Sequence, residues 1–352
     1  MINFKNLQNM IDKKYISVQK HPTLDLFIYN YTKRAQFDGV WNNETMQCRG
    51  LIMDKDKNIV ARPFSKFFNL QEVIDKGGQI PSEDFIVTEK MDGSLGILYW
   101  ENDKPRIATR GSFVSEQAQF ANKLLDTKYA NVDFVPTFTY LFEIIYPQNR
   151  IVVDYKDREE LVLLAIVDIR SGEEISYSIA KDFGEMVGFP VVEKLDGIED
   201  FNKIEQKPNS EGYVIYFPKS KKRFKVKFDE YVRLHRLITG VNKRRIWDIL
   251  RNHQSLDELL DRVPDEFYSW VKATKRSLEM EYSVIEAIAS THWEIVKDLP
   301  DRKSQALALK KILPSQRVAI PIVFKMLDNK PYEELIWRIL KPKHETPFKI
   351  EI

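Results

Sequence analysis

From about Gly50 to Phe228 the chain alternates short apolar, β-branched and aromatic runs with turn-forming residues. The runs at residues 51–53, 85–87, 95–99, 106–109, 140–145, 161–169, 213–217 and 224–228 predict strands of an antiparallel sheet. One helix is predicted to begin near Ser115, where a capping residue precedes a stretch of good helix formers. After Tyr231 the period changes. From Asn242 onward apolar residues recur at helical spacing, as at Leu278, Tyr282, Ile285, Ala289 and Val296, in a stretch without Gly. The pattern predicts an α+β chain: an antiparallel-sheet domain over residues 1–240, then an all-helical domain over 241–352, with the boundary near the helix-stopping Gly240.

Composition narrows the class. The 352 residues suffice for two domains, and 43% hydrophobic with 30% charged residues is the balance of a globular protein. A net charge of +2 means that any attraction to a nucleic-acid backbone must come from local clustering. The single Cys48 excludes an internal disulfide, and with five scattered histidines it excludes a Cys-rich zinc site, so a reducing cytoplasmic setting is expected. The N-terminus has no signal-peptide pattern, and the longest apolar run, Leu161 to Val167, is too short to cross a bilayer, so no membrane association is expected. No G-x-x-x-x-G-K-[ST] loop is present.

The candidate chemistry begins at Lys90-Met-Asp-Gly93, between two predicted strands. Alone it reads as a hairpin with a tight Asp-Gly turn and a solvated lysine. Further along come a carboxylate inside an apolar strand at Glu143, then Glu211-Gly-Tyr-Val214, then Lys225-Val-Lys227. Residues two apart on a strand face the same side, so Lys225 and Lys227 project together while Phe224, Val226 and Phe228 pack inward. Each member alone reads as strand-end or surface charge.

Taken in this order, the set resembles the nucleotidyltransferase superfamily of DNA ligases, RNA ligases and capping enzymes. Tyr29-Asn-Tyr31, Cys48-Arg-Gly50, Arg62-Pro63, Lys66-Phe-Phe-Asn-Leu70, the stretch from Arg110 to Gln117 and Pro147-Gln-Asn-Arg150 are similar to the phage-type RNA ligase 1 family, over roughly residues 25 to 235. The resemblance implies an adenylation domain that joins 5′-phosphate and 3′-hydroxyl RNA ends with ATP, through AMP carried on Lys90. A lysine is neutral in only about one part in a thousand near pH 7, so such a site must lower its pKa, and neighbouring cations do this. By the same resemblance Lys90, Lys225 and Lys227 are catalytic, with Asp92 in support, and Glu143 and Glu211 sit near the ribose or a bound Mg²⁺ or Mn²⁺. Arg49, Lys66 and Tyr29 would grip the outer phosphates, Arg110 the ribose and α-phosphate, and Thr88, Glu89 and Val214 the adenine.

The densest basic stretch, Lys219 to Lys227, divides between these roles: its outer members Lys219, Lys221, Lys222 and Arg223 read equally as an RNA-backbone contact or a solvated hairpin tip. His235 and the other histidines have no metal-ligand spacing. DNA ligases and capping enzymes follow the last lysine motif with a β-rich OB-fold, whereas this chain turns helical. A noncatalytic RNA-binding protein on a ligase fold is the reading from a different class. Expected partners are RNA, including nicked tRNA chosen with the help of the helical domain, and a separate end-healing kinase and phosphatase; a monomer is expected.

Overall fold

The structure, a computed structural model, describes residues 2–260, 263 and 265–343; the rest of the expected helical domain, 344–352, lies outside the described residues. The chain divides into two compact units between Val232 and Arg233, inside the helix Asp229–Gly240 whose end the sequence marks as the boundary.

The first unit holds the strands β1 (Ile16–Lys20), β2 (Leu26–Tyr31), β3 (Arg49–Asp54), β4 (Ile59–Ala61), β5 (Phe68–Asn69), β6 (Ile86–Glu89), β7 (Ser94–Glu101), β8 (Lys104–Thr109), β9 (Phe138–Ile145), β10 (Glu160–Asp168), β11 (Gly212–Phe217) and β12 (Lys222–Lys227). They form three four-stranded sheets in the orders β1-β2-β3-β4, β10-β9-β7-β8 and β5-β12-β11-β6. Every pairing is antiparallel except β12 with β5. The β9-containing sheet is buried on both faces. Leu98, Phe142, Ile144 and Leu163 pack against the helices Glu116–Asp126 and Tyr177–Val187, while Ile97, Tyr99, Leu141 and Val167 pack against Ile28 and Ile52 of the first sheet. Burial on two sides is why these strands read as nearly continuous apolar runs, and why Glu143 stands out in β9. Ser115 caps its helix as expected, accepting the Ala118 amide at 3.2 Å.

The structure corrects one expectation. Lys90 to Gly93 is not a hairpin turn, because β6 pairs with β11 and β7 with β8 and β9; the segment crosses from one sheet to another. Gly93 is required by close approach: a Cβ there would lie 2.6 Å from the Ile144 carbonyl oxygen.

In the second unit the helix Asp265–Val296 turns Leu278, Ile285, Ala289 and Val296 inward, as their spacing predicts. Ile285, Ala289 and Val296 join Leu309, Ile322, Val323 and Ile336 from the later helices in one core. Tyr282 lies against Trp337 with ring centres 5.1 Å apart. Among the described residues no helix is long and apolar enough to cross a membrane.

Candidate functional site

Lys90 stands just beyond β6, its backbone amide donating to the Gly212 carbonyl at 2.9 Å, which fixes it beside β11. Its ammonium donates to Oε2 of Glu211 at 2.6 Å, and the other oxygen of that carboxylate takes the Lys227 ammonium at 2.7 Å. Glu211 is only 3% exposed, so one buried carboxylate holds two lysines together. The next residue, Gly212, has φ +141°, and a Cβ there would lie 2.0 Å from the Val226 carbonyl oxygen. No other residue lets the two strands meet behind Glu211.

Around this triad the charge is cationic. Lys225, from the same strand as Lys227, is pushed down to about 8, first by burial and then by Lys66, Lys90, Lys227 and Arg49. Burial also lowers Arg49, whose Nη1 is buried without a hydrogen-bond partner and whose guanidinium lies 5.2 Å from the Phe67 ring centre. Lys66 is lowered by burial and by Arg49, its ammonium 4.7, 5.2 and 5.7 Å from the ring centres of Phe68, Trp41 and Tyr31. Arg110 donates to the Tyr31 hydroxyl at 3.2 Å. So many crowded cations, one with an unmet donor, call for an anion.

A cavity of about 900 Å³ opens beside them, and Arg49, Thr88, Glu89, Lys90, Arg110, Glu143 and Val214 of the sequence-derived set line it. Thr88 and Val214 are directly paired across β6 and β11. Burial, then the nearby Glu193, raises the Glu89 carboxyl. Glu143 is pushed up to about 7 by burial, partly opposed by Lys90 and reinforced by Glu211, while one oxygen accepts the Gly93 amide at 2.9 Å. Among the described residues no three acidic, His or Cys side chains gather to hold a metal. The oxygen donors available are Glu143 and the lysine-paired Glu211, a donor type that would suit a hard divalent ion such as Mg²⁺ or Mn²⁺.

Lys66, Glu211, Lys225 and Lys227 are not among the lining residues of this cavity, and Tyr29 and Asp92 are engaged elsewhere. Tyr29 faces Leu7, Met10, Ile16 and Leu51 in the core of the first sheet, and Tyr31, two residues on, is the tyrosine beside Arg110 and Lys66. The Asp92 carboxylate is fully engaged: Oδ2 accepts the amides of Val152 and Val153 at 3.0 Å each, and Oδ1 the Tyr231 hydroxyl at 2.7 Å. It braces the crossing segment rather than opening onto the cavity. Arg223 does not reach toward solvent. It forms a two-pronged pair with Glu174 at 2.8 and 2.6 Å and lies between the Phe64 and Tyr216 rings, 4.1 and 4.2 Å from their centres.

Sequence reasoning did not single out Trp41, Tyr155, Glu174 or Tyr231. Tyr155 accepts the Asp92 amide through its hydroxyl at 2.9 Å, and Tyr231 lies under the Lys227 ammonium at 4.7 Å. Nothing local marks them, since each acts through a partner distant in the chain; Tyr31, by contrast, stands in the motif that suggested Tyr29.

A family model described as RNA ligase matches residues 47–232, just over half of the chain and including the positions from Arg49 to Tyr231 described above. The chain is 26% identical over 258 residues to a protein of Autographa californica nuclear polyhedrosis virus named as a bifunctional polynucleotide kinase/RNA ligase, covering 65% of this chain but only 36% of that protein. It is 26% identical over 280 residues to a protein of Thermovibrio ammonificans named as an RNA ligase, covering 76% and 71% of the two chains. To the RNA ligase of Rhodothermus phage RM378 it is 21% identical over 345 residues, covering 77% of each. With the match running through the lysine, carboxylate and arginine positions that form the site, the chain belongs to the RNA ligase family.

Proposed function

We propose that this protein is an ATP-dependent RNA ligase that carries AMP on Lys90. The observation that carries the reading is the placement of the Lys90 ammonium at the wall of a nucleotide-sized cavity, among Lys225, Lys227, Arg49 and Lys66. Lys90 passes its proton to solvent water as its contact with Glu211 opens, and its neutral nitrogen attacks the α-phosphorus of ATP. A nitrogen–phosphorus bond forms as the bond to pyrophosphate breaks. The 5′-phosphate of RNA then displaces Lys90 from the AMP, and a 3′-hydroxyl displaces AMP in turn, joining the ends and regenerating the lysine.

Each step builds negative charge on a phosphate, and preorganised cations stabilise that charge without reorganising. Lys225 and Lys227 serve the α-phosphate, Arg49 and Lys66 the outer phosphates, and Arg110 the ribose side. Thr88, Glu89 and Val214 bound the adenine. Asp92 and Tyr231 hold the Lys90 segment in place. Glu143 and Glu211 would hold a Mg²⁺ or Mn²⁺ ion, which would supply withdrawal of charge from the phosphates. The helical unit helps choose the RNA, broken tRNA being the substrate proposed.

Incubation with divalent metal and α-labelled ATP or GTP tests this. The reading expects label from ATP alone, loss of it in Lys90→Ala, and its transfer to 5′-phosphorylated RNA followed by a sealed product. Label from GTP only would point to a capping enzyme, and no label from either would leave an RNA-binding protein.

A further inference from the structure

A second cavity of about 760 Å³ lies next to the first in the same unit, the two sharing Phe64, Phe67, Tyr216 and the Glu174–Arg223 pair as a common wall. Six cationic side chains line it, Arg62, Lys66, Lys76, Lys221, Lys222 and Arg223, against two carboxylates, Glu72 and Glu174. Two of these cations are already neutralised, Arg223 by Glu174 and Lys221 by Glu173 at 3.1 Å. Arg62, Lys66, Lys76 and Lys222 have no carboxylate within ion-pair distance among the described residues; the Arg62 guanidinium donates to the Ile169 carbonyl and the Gln47 amide oxygen. Between them stand the half-buried rings of Trp41, Phe67 and Phe68.

Cations interleaved with aromatic rings, as Lys66 is with Trp41 and Phe68, are what a nucleic-acid strand meets in a sequence-tolerant site: phosphates find charge and bases find a surface to stack on. The volume falls in the roughly 300–1,000 Å³ range of cavities that enclose small ligands. Lys66 sits in the wall of this cavity and is electrostatically coupled to Arg49 and Arg110 of the first, so a strand held here would end beside the nucleotide.

We propose that this second cavity docks the single-stranded end of the RNA, a base against Trp41 or Phe67 and phosphates against Arg62, Lys76 and Lys222. The proposal rests on the RNA ligase reading above. It is tested by fluorescence anisotropy of a 3′-labelled, 5′-phosphorylated single-stranded RNA titrated with the full chain across a salt series, alongside self-labelling with ATP. In the Lys76→Ala/Lys222→Ala double variant RNA binding should weaken about tenfold and the slope against log salt should fall by about 1.4, the loss of two phosphate contacts at about 0.7 each. Lys123→Ala, exposed on the helix Glu116–Asp126 and outside both cavities, should bind as the unaltered protein does, and all should label with ATP equally.

RNA affinity in the double variant equal to that of Lys123→Ala would overturn the proposal. So would weakened ATP labelling with RNA binding intact, which would make the cavity a route for pyrophosphate. Absence of ATP labelling in the unaltered protein would instead sink the ligase reading, leaving the RNA titrations to decide the cavity by themselves.

Discussion

At the scale of single residues, the site is a set of charges that would repel or starve one another were Glu211 not among them. Its two oxygens hold Lys90 and Lys227 at 2.6 and 2.7 Å. Glu211→Gln should therefore destabilise the first unit by about 2 kcal/mol in denaturant titrations, below the roughly 3–5 kcal/mol of a fully buried broken pair because the two lysines are 20% and 26% exposed. Glu143 behaves in the opposite way. Its carboxyl, pushed up to about 7, stays protonated in the folded protein where the unfolded chain has already ionised, near pH 4.5. The folded state then binds more protons, so this group's contribution is fully present below about pH 4.5 and is lost as pH rises through about 7. Glu143→Gln should remove that dependence and be the more stable protein above pH 7, by up to about 3 kcal/mol. Thermal melts of both proteins from pH 4.5 to 8 check this, and parallel curves would contradict it.

At the scale of elements, the two glycines that let backbones meet are as consequential as the charged side chains. Gly93→Ala would drive a methyl into the Ile144 carbonyl, and Gly212→Ala would add left-handed backbone strain to an even closer clash. Each should cost about 2 kcal/mol or more and impair Lys90 labelling, whereas Gly240→Ala, with open space around it and no left-handed backbone, should leave labelling intact. Most strands of the first unit were legible because burial on two faces writes an uninterrupted apolar run. The β1 strand was not, since only Ile16 of its five residues is buried and the rest carry no pattern. The motif at Lys90 taken alone reads as a hairpin because Asp-Gly is a strong local turn signal, while the pairing of β6 with β11 is set by residues more than a hundred positions away. Tyr29 misled for a related reason: strand alternation alone does not say which of two nearby tyrosines meets Arg110.

At the scale of the whole molecule, chemistry and the family match both fall in the first unit, and the second unit has a core of its own. Val323, fully buried in that core, is a handle on the division of labour. Val323→Asp should unfold the second unit and reduce sealing of structured RNA while leaving ATP labelling of Lys90 largely intact; loss of both together would show that adenylation needs the helical unit. The split itself was legible as a change of period from strand to helix. What the second unit selects was not, because helical spacing reports a core and says nothing of its outer surface.

The most direct measurement is peptide mapping by mass spectrometry after incubation with ATP and Mg²⁺, with and without added pyrophosphate. The account predicts one AMP on the peptide containing Lys90, removed by pyrophosphate and absent in Lys90→Ala. AMP on another lysine, or none on an intact folded chain, would contradict it.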